Sequence, residues 1–149
     1  MNTDLSVAPE IAQLADPFVP AQPVAARPRT DGRIAGDLAD LAATPERWWD
    51  LVRFDHDGPV RVSLPDAPGT WLLVLPPGAA ADCDCQQATA LAGEAVEAAS
   101  GAATSTRPLR PGRVRVHGTS RHGAIRAETR VAHRVRAVGN GYSVTLHFA

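Results

Sequence analysis

Apolar residues recur at roughly helical spacing from Ile34 to Val52, with Leu38, Leu41, Trp48, Leu51 and Val52 between or at those limits. Thr44-Pro45-Glu46 interrupts the run and restarts it: a capping hydroxyl, a proline suited to the first turn, and a carboxylate near the positive helix end. The pattern predicts two short helices, the second docked on the core through Trp48 or Trp49. Upstream, Pro9, Pro17, Pro20, Pro23 and Pro28 punctuate a stretch that loses apolar periodicity after Leu14. Residues 1–33 therefore read as a flexible leader, and residues 34–149 as one domain.

Beyond residue 58 the period shortens. Short β-prone runs at 60–64, 70–75, 88–96, 113–117, 124–129, 131–138 and 142–148 are mostly separated by Gly or Pro clusters. Several short strands with turn signals between them predict an all-β sandwich or barrel rather than an α/β fold. The run Arg113-Val114-Arg115-Val116-His117 alternates polar and apolar, as residues 131–138 do in part, which suits strands with one face on the core and their arginines in solvent. Residues 97–107 are small and polar and read as a loop.

Composition narrows the function classes. The chain has 149 residues, enough for one core, with 15 basic against 16 acidic residues, so no overall field draws it to nucleic acid or an anionic membrane. All 15 basic residues are arginine, a bias that fits GC-rich coding better than a function. No apolar run approaches a membrane span or a secretion signal, and the expected location is the cytoplasm. The two cysteines, Cys83 and Cys85, are one residue apart, a spacing that disfavours a bridge between them and predicts free thiols.

The stretches PERWWDLVRFD (residues 45–55) and VRVSLPDAPGTWLLVLPPG (60–78), with HRVRAVGNGYSVTLHFA (133–149) closing the chain, occur in an order that resembles the bacterial cysteine dioxygenases and their cupin relatives. The resemblance covers residues 45–149 and implies a cupin-type β-barrel, a jelly roll, with a short N-terminal helical segment. In that family two histidines in an H-x-H motif and a third on a later strand hold ferrous iron, and a small thiol is oxidised to a sulfinate. The family also implies a homodimer formed through barrel faces or exchanged strands.

Here the H-x-H position holds Cys83-Asp84-Cys85, and only seven residues separate Cys85 from Gly93. The third ligand is His133, with His122 as the alternative. Residues i and i+2 of a strand share a face, so both sulfurs point inward and Asp84 outward. The resemblance makes Arg61 the partner of a substrate carboxylate, a contact a guanidinium suits. It also puts Phe148 where relatives carry a tyrosine near the active site. Two thiolates and an imidazole favour zinc, copper or nickel over the iron of the family. The expected cofactor is thus one transition metal ion, or none if the thiols only fill the core. The expected partner is a small thiol or carboxylate, and the alternative function is a noncatalytic barrel that binds a small molecule or a protein. Of the remaining histidines, His56 reads as solvent-facing, His117 as hydrogen-bonded within the structure, and His147 as a residue beside the site rather than in it.

Overall fold

The computed structural model describes residues 30–99, 106–117 and 132–149. His122, the expected strand at 124–129 and residues 1–29 of the leader lie outside them.

One helix, α1 (Asp31–Ala42), opens the described chain; it starts inside the stretch assigned to the leader, because Thr30 caps it by accepting a hydrogen bond from the Arg33 N–H at 3.3 Å. Its buried residues Ile34, Leu38 and Leu41 form the apolar stripe. The expected second helix is instead two single 3₁₀ turns, Pro45–Arg47 and Trp49–Leu51. Trp48, between them, is 3% exposed and donates from Nε1 to the Leu41 carbonyl at 3.1 Å, whereas Trp49 is 50% exposed. Trp48 is therefore the docking residue.

Among the described residues nine strands follow: β1 (Val60–Ser63), β2 (Thr70–Leu75), β3 (Ala80–Cys83), β4 (Gln87–Ala92), β5 (Glu94–Ala99), β6 (Thr106–Leu109), β7 (Arg115–Val116), β8 (His133–Val138) and β9 (Ser143–Phe148). They form two antiparallel sheets, ordered β1-β2-β9-β4-β7 and β3-β8-β5-β6. The fold is the expected jelly roll. Its two sheets stack face to face rather than joining into a hydrogen-bonded ring among the described residues.

Three local expectations are corrected. The single strand at 88–96 is two strands in different sheets, broken at Gly93. That residue has φ +70°, and a Cβ there would lie 2.1 Å from the Tyr142 carbonyl oxygen, so only glycine lets the chain turn so close to β9. The expected loop at 97–107 contains the end of β5 and the start of β6. β3 is an additional strand, unmarked in the pattern because its Ala-Ala-Asp-Cys sequence has little β propensity.

The five-stranded sheet buries both faces. Its outer face, with Leu72, Val74, Val144 and Leu146, packs on α1 and Trp48. Its inner face, with Trp71, Leu73, Leu75, Ala88 and Ala90, meets Val135, Ala137, Ala95 and Leu109 of the other sheet, and Cys83 and Cys85 belong to this inner core.

Candidate metal centre

Between β3 and β4 the chain crosses from one sheet to the other, and the site lies at that corner. Cys83 ends β3 and is paired across the sheet with His133, the first residue of β8. Cys85 lies in the crossover itself. Asp84 between them is exposed, while Cys83 is 9% and Cys85 1% exposed. Both cysteines are free thiols, as expected. The neighbouring Gln86 ties the crossover down: its N–H donates to the Phe148 carbonyl and its carbonyl accepts from the His117 N–H, each at 2.7 Å.

The crossover therefore brings His117 and the end of β9 to the thiols. The sulfur of Cys85 lies 3.3 Å from Nε2 of His133 and 3.2 Å from Nδ1 of His147. The rings of His117 and His133 stack with centroids 4.1 Å apart. Two triads of donor atoms result, Cys83 with His133 and His147, and Cys85 with His117 and His133, each with its atoms within 4.8 Å of one another. His133 thus lies beside each of the two expected cysteines, but Cys83 and Cys85 fall in different triads, completed by His147 and His117.

The sequence pattern alone puts those two histidines outside the ligand set. On β7 the alternation runs opposite to hydrophobicity: Val116 is 41% exposed, while Arg115 and His117 turn toward the interior. On β9 the polar residues Ser143, Thr145 and His147 fall opposite Leu75, Leu73 and Trp71 and are fully buried. Three polar residues at alternate positions of an otherwise apolar strand are the signal of a polar interior that periodicity offered. Phe148, expected near the site, packs instead with the outer core beneath α1, because it follows His147 by one residue and so takes the other face.

Each histidine is set by its neighbours. The Thr145 hydroxyl donates to the Leu73 carbonyl at 3.4 Å and lies 2.7 Å from His147 Nε2. A hydroxyl whose proton is engaged accepts from Nε2–H, which leaves the Nδ1 lone pair of His147 directed at Cys85. Trp71 stacks on the same ring, with centroids 5.6 Å apart and planes 13° from parallel. His117 Nε2 lies 3.3 Å from Oε2 of buried Glu97, whose other oxygen pairs with Arg115 Nε. His117 Nε2, Glu97 Oε2 and Arg115 Nε are buried and meet one another as ion-pair partners rather than as aligned hydrogen bonds. Arg115, expected as solvated strand surface, serves here as a counter-ion. With Arg110 and Arg113 it also lines a cleft of about 790 Å³.

Burial decides the protonation states of the metal-free cluster. It pushes the Cys83 thiol up to about 11, against the pull of the Arg61 guanidinium, and pushes Cys85 higher still with help from Cys83. It lowers His117 to about 4 and His147 to about 3, with the neighbouring histidines adding to the effect. It also raises Glu97, opposed by Arg115. The two thiols and the imidazoles of His117 and His147 are therefore neutral near pH 7.

Arg61 is exposed on β1, opposite Leu73 and so on the inner face. Its guanidinium carbon sits 3.8 Å from the Trp71 ring centroid. A column of Arg61, Trp71 and His147 thus leads from solvent to the thiols. His56 is exposed, as expected, and lies 2.8 Å from the Tyr142 hydroxyl on the surface. No helix among the described residues is long and apolar enough to cross a membrane.

No family model and no curated protein matches the sequence. Solved structures do resemble it. One is a protein of Thermus thermophilus, at 17% identity and TM-score 0.47, covering 67% of this chain and 91% of that one. Another is a cupin superfamily protein of Desulfitobacterium hafniense, at 13% identity and TM-score 0.45, covering 68% and 87%. A third is a sugar phosphate isomerase from a cupin superfamily, of Silicibacter pomeroyi, at 20% identity and TM-score 0.42, covering 61% and 58%. Likenesses this distant carry no argument about activity, which rests on the cluster itself.

Proposed function

We propose that this jelly roll is a transition-metal protein whose buried thiolate and imidazole donors hold a soft or borderline ion, with a small carboxylate-bearing ligand held at the rim by Arg61. The observation that carries the reading is the grouping of Cys83, Cys85, His117, His133 and His147 into two triads with donor atoms within 4.8 Å, every member buried except partly buried His117.

The donor set selects among metals. Thiolates favour zinc, copper or nickel, and each triad contains a sulfur. The ferrous oxygen-activating sites implied by the cysteine dioxygenase resemblance use imidazole or carboxylate donors, so these residues do not fit that iron centre. A bound zinc or copper would supply Lewis-acid polarisation or a point of attachment for a ligand sulfur or oxygen. The chain's own residues do the rest. Thr145 holds the His147 ring with Nδ1 inward, Glu97 and Arg115 flank His117, and Arg61 offers a paired N–H edge to a carboxylate.

A metal-free barrel that binds a small molecule or a protein is the second reading, and one observation favours it: Cys85 already lies within hydrogen-bonding range of two imidazoles. The test is elemental analysis of untagged protein purified without chelators, repeated after reconstitution under reducing conditions. Zinc, copper or nickel in stoichiometric amount, lost in Cys83→Ser/Cys85→Ser, supports the metal reading. No metal after reconstitution refutes it and leaves the metal-free barrel.

A further inference from the structure

Among the described residues β6 and β7 are edge strands of their sheets, and the chain passes from one to the other through the turn Arg110-Pro111-Gly112-Arg113. Pro111 fixes φ at the second position of that turn, and Gly112, with φ +71°, takes the left-handed third. The Arg113 N–H closes the turn on the Arg110 carbonyl at 3.2 Å. That carbonyl also accepts from the Thr89 hydroxyl at 3.3 Å, and Pro111 bridges to Ala90, so the turn is pinned to β4. A β-turn holds its first and last Cα atoms within about 7 Å, which sets Arg110 and Arg113 side by side.

Both arginines line the cleft of about 790 Å³, together with Arg115, Pro108, Val114 and Val116, and no carboxylate lines it among the described residues. Glu97 pairs with Arg115, but Arg110 and Arg113 are exposed and have no ion-pair partner among the described residues. Two uncompensated positive charges thus stand together on a chain whose net charge is −1. An anion between them relieves their mutual repulsion.

We propose that this cleft binds a small phosphate monoester, gripped by Arg110 and Arg113. Each guanidinium offers a paired N–H edge to phosphate oxygens, and a phosphate near its dianionic form matches two charges where a carboxylate matches one. Pro108 and the exposed Val116 give apolar surface to the organic part of the ester. The cleft has the volume of a small-molecule site, and the negative net charge disfavours an extended polyanion. Arg61 lies on β1, at the opposite edge of the five-stranded sheet from β7, and neither Arg110 nor Arg113 belongs to a donor triad. The site therefore stands independently of the metal reading.

Phenyl phosphate, inorganic phosphate and phenylacetate are titrated calorimetrically into the full chain at fixed ionic strength. The expected result is one equivalent of phenyl phosphate, bound more tightly than either of the others. Its affinity should fall about 10-fold or more in Arg110→Gln and in Arg113→Gln. It should be unaltered in Arg136→Gln, which removes the same charge from an exposed residue of β8. Circular dichroism shows that the variants fold. Wild-type affinity in both cleft variants overturns the site, and an equal loss in Arg136→Gln reduces the effect to net charge and overturns it too. Phenylacetate or inorganic phosphate bound as tightly as phenyl phosphate overturns the assignment of a phosphate monoester. No saturable binding of phenyl phosphate overturns the proposal outright.

Discussion

Cys83 and His133 face each other directly across β3 and β8, and His133 is the one residue common to both donor triads. Its loss should therefore damage metal binding more than loss of either flanking histidine. His133→Gln is expected to abolish tight cobalt(II) or zinc binding, whereas Glu97→Gln, which alters only the surroundings of His117, should weaken it about 10–100-fold. The thiolate-to-cobalt charge-transfer band in a competition titration reads both. Equal affinities in the two variants would show that His133 is not the shared donor.

Metal-free protein should be squeezed from both ends of the pH scale. His117 and His147 hold folded-state values of about 4 and about 3, against ordinary values of 6.5, so the unfolded chain binds more protons as the pH falls below 6.5. Stability present above 6.5 is then lost progressively down to about pH 3, by on the order of a few kcal/mol. At the other end Cys83 ionises near 9 when unfolded and near 11 when folded. Its thiol has no effect below pH 9 and destabilises the fold as the pH rises from 9 to 11. Urea midpoints across pH 4–11 check this. A profile flat between pH 4 and 6.5 would contradict the buried, neutral imidazoles.

Gly93→Ala tests the turn that passes the chain between sheets. The added methyl meets the Tyr142 carbonyl oxygen at 2.1 Å on a backbone with φ +70°, and backbone, unlike a side chain, cannot swing away. The cost is expected to be on the order of 3 kcal/mol or more, read by thermal or urea unfolding. A loss below about 1 kcal/mol would mean that β4 and β5 part differently from the geometry described.

Much of this fold was legible because local signals agreed with it. The apolar run of β2, the alternation of β8 and the stripe of α1 each match their burial. The sequence also singled out Cys83, Cys85 and His133, and the structure sets His133 beside each cysteine with Asp84 outward, though in two separate triads. What escaped was set by tertiary context. β6 carries Pro108, which argues against a strand, but it is an edge strand and needs no ladder hydrogen bond there. His117 escaped because β7 is a two-residue edge strand whose inner face is chosen by the Glu97 counter-charge rather than by its valines. His147 escaped because a buried polar row on β9 makes sense only once the thiols opposite are known.

The two adjacent tryptophans should differ sharply. Trp48→Ala removes a fully packed indole and its hydrogen bond to the Leu41 carbonyl and is expected to cost about 3–5 kcal/mol. Trp49→Ala removes a half-exposed ring in edge contact with Trp48 and Phe54 and should cost less than about 1.5 kcal/mol. Urea unfolding of the two variants side by side decides it. Similar losses would mean that the outer core does not depend on Trp48.

Arg61 separates ligand capture from metal binding. Its guanidinium lies over Trp71 but is exposed, so removing it should change stability by no more than about 1 kcal/mol. It belongs to neither donor triad, so metal stoichiometry in Arg61→Ala should equal that of the wild type. A carboxylate seated at the rim would nonetheless lose a charge-assisted hydrogen-bonded partner, a loss of about 1.5–3 kcal/mol, or roughly 10- to 150-fold in affinity. Arg61→Lys should recover only part of this, because an ammonium keeps the charge but not the planar pair of donors. Calorimetric titration of the metal-loaded protein with cysteine and with simple carboxylates measures all three forms. If affinity is unchanged in Arg61→Ala, the arginine is a surface residue resting on Trp71, and the carboxylate half of the proposed function must be abandoned while the metal half stands.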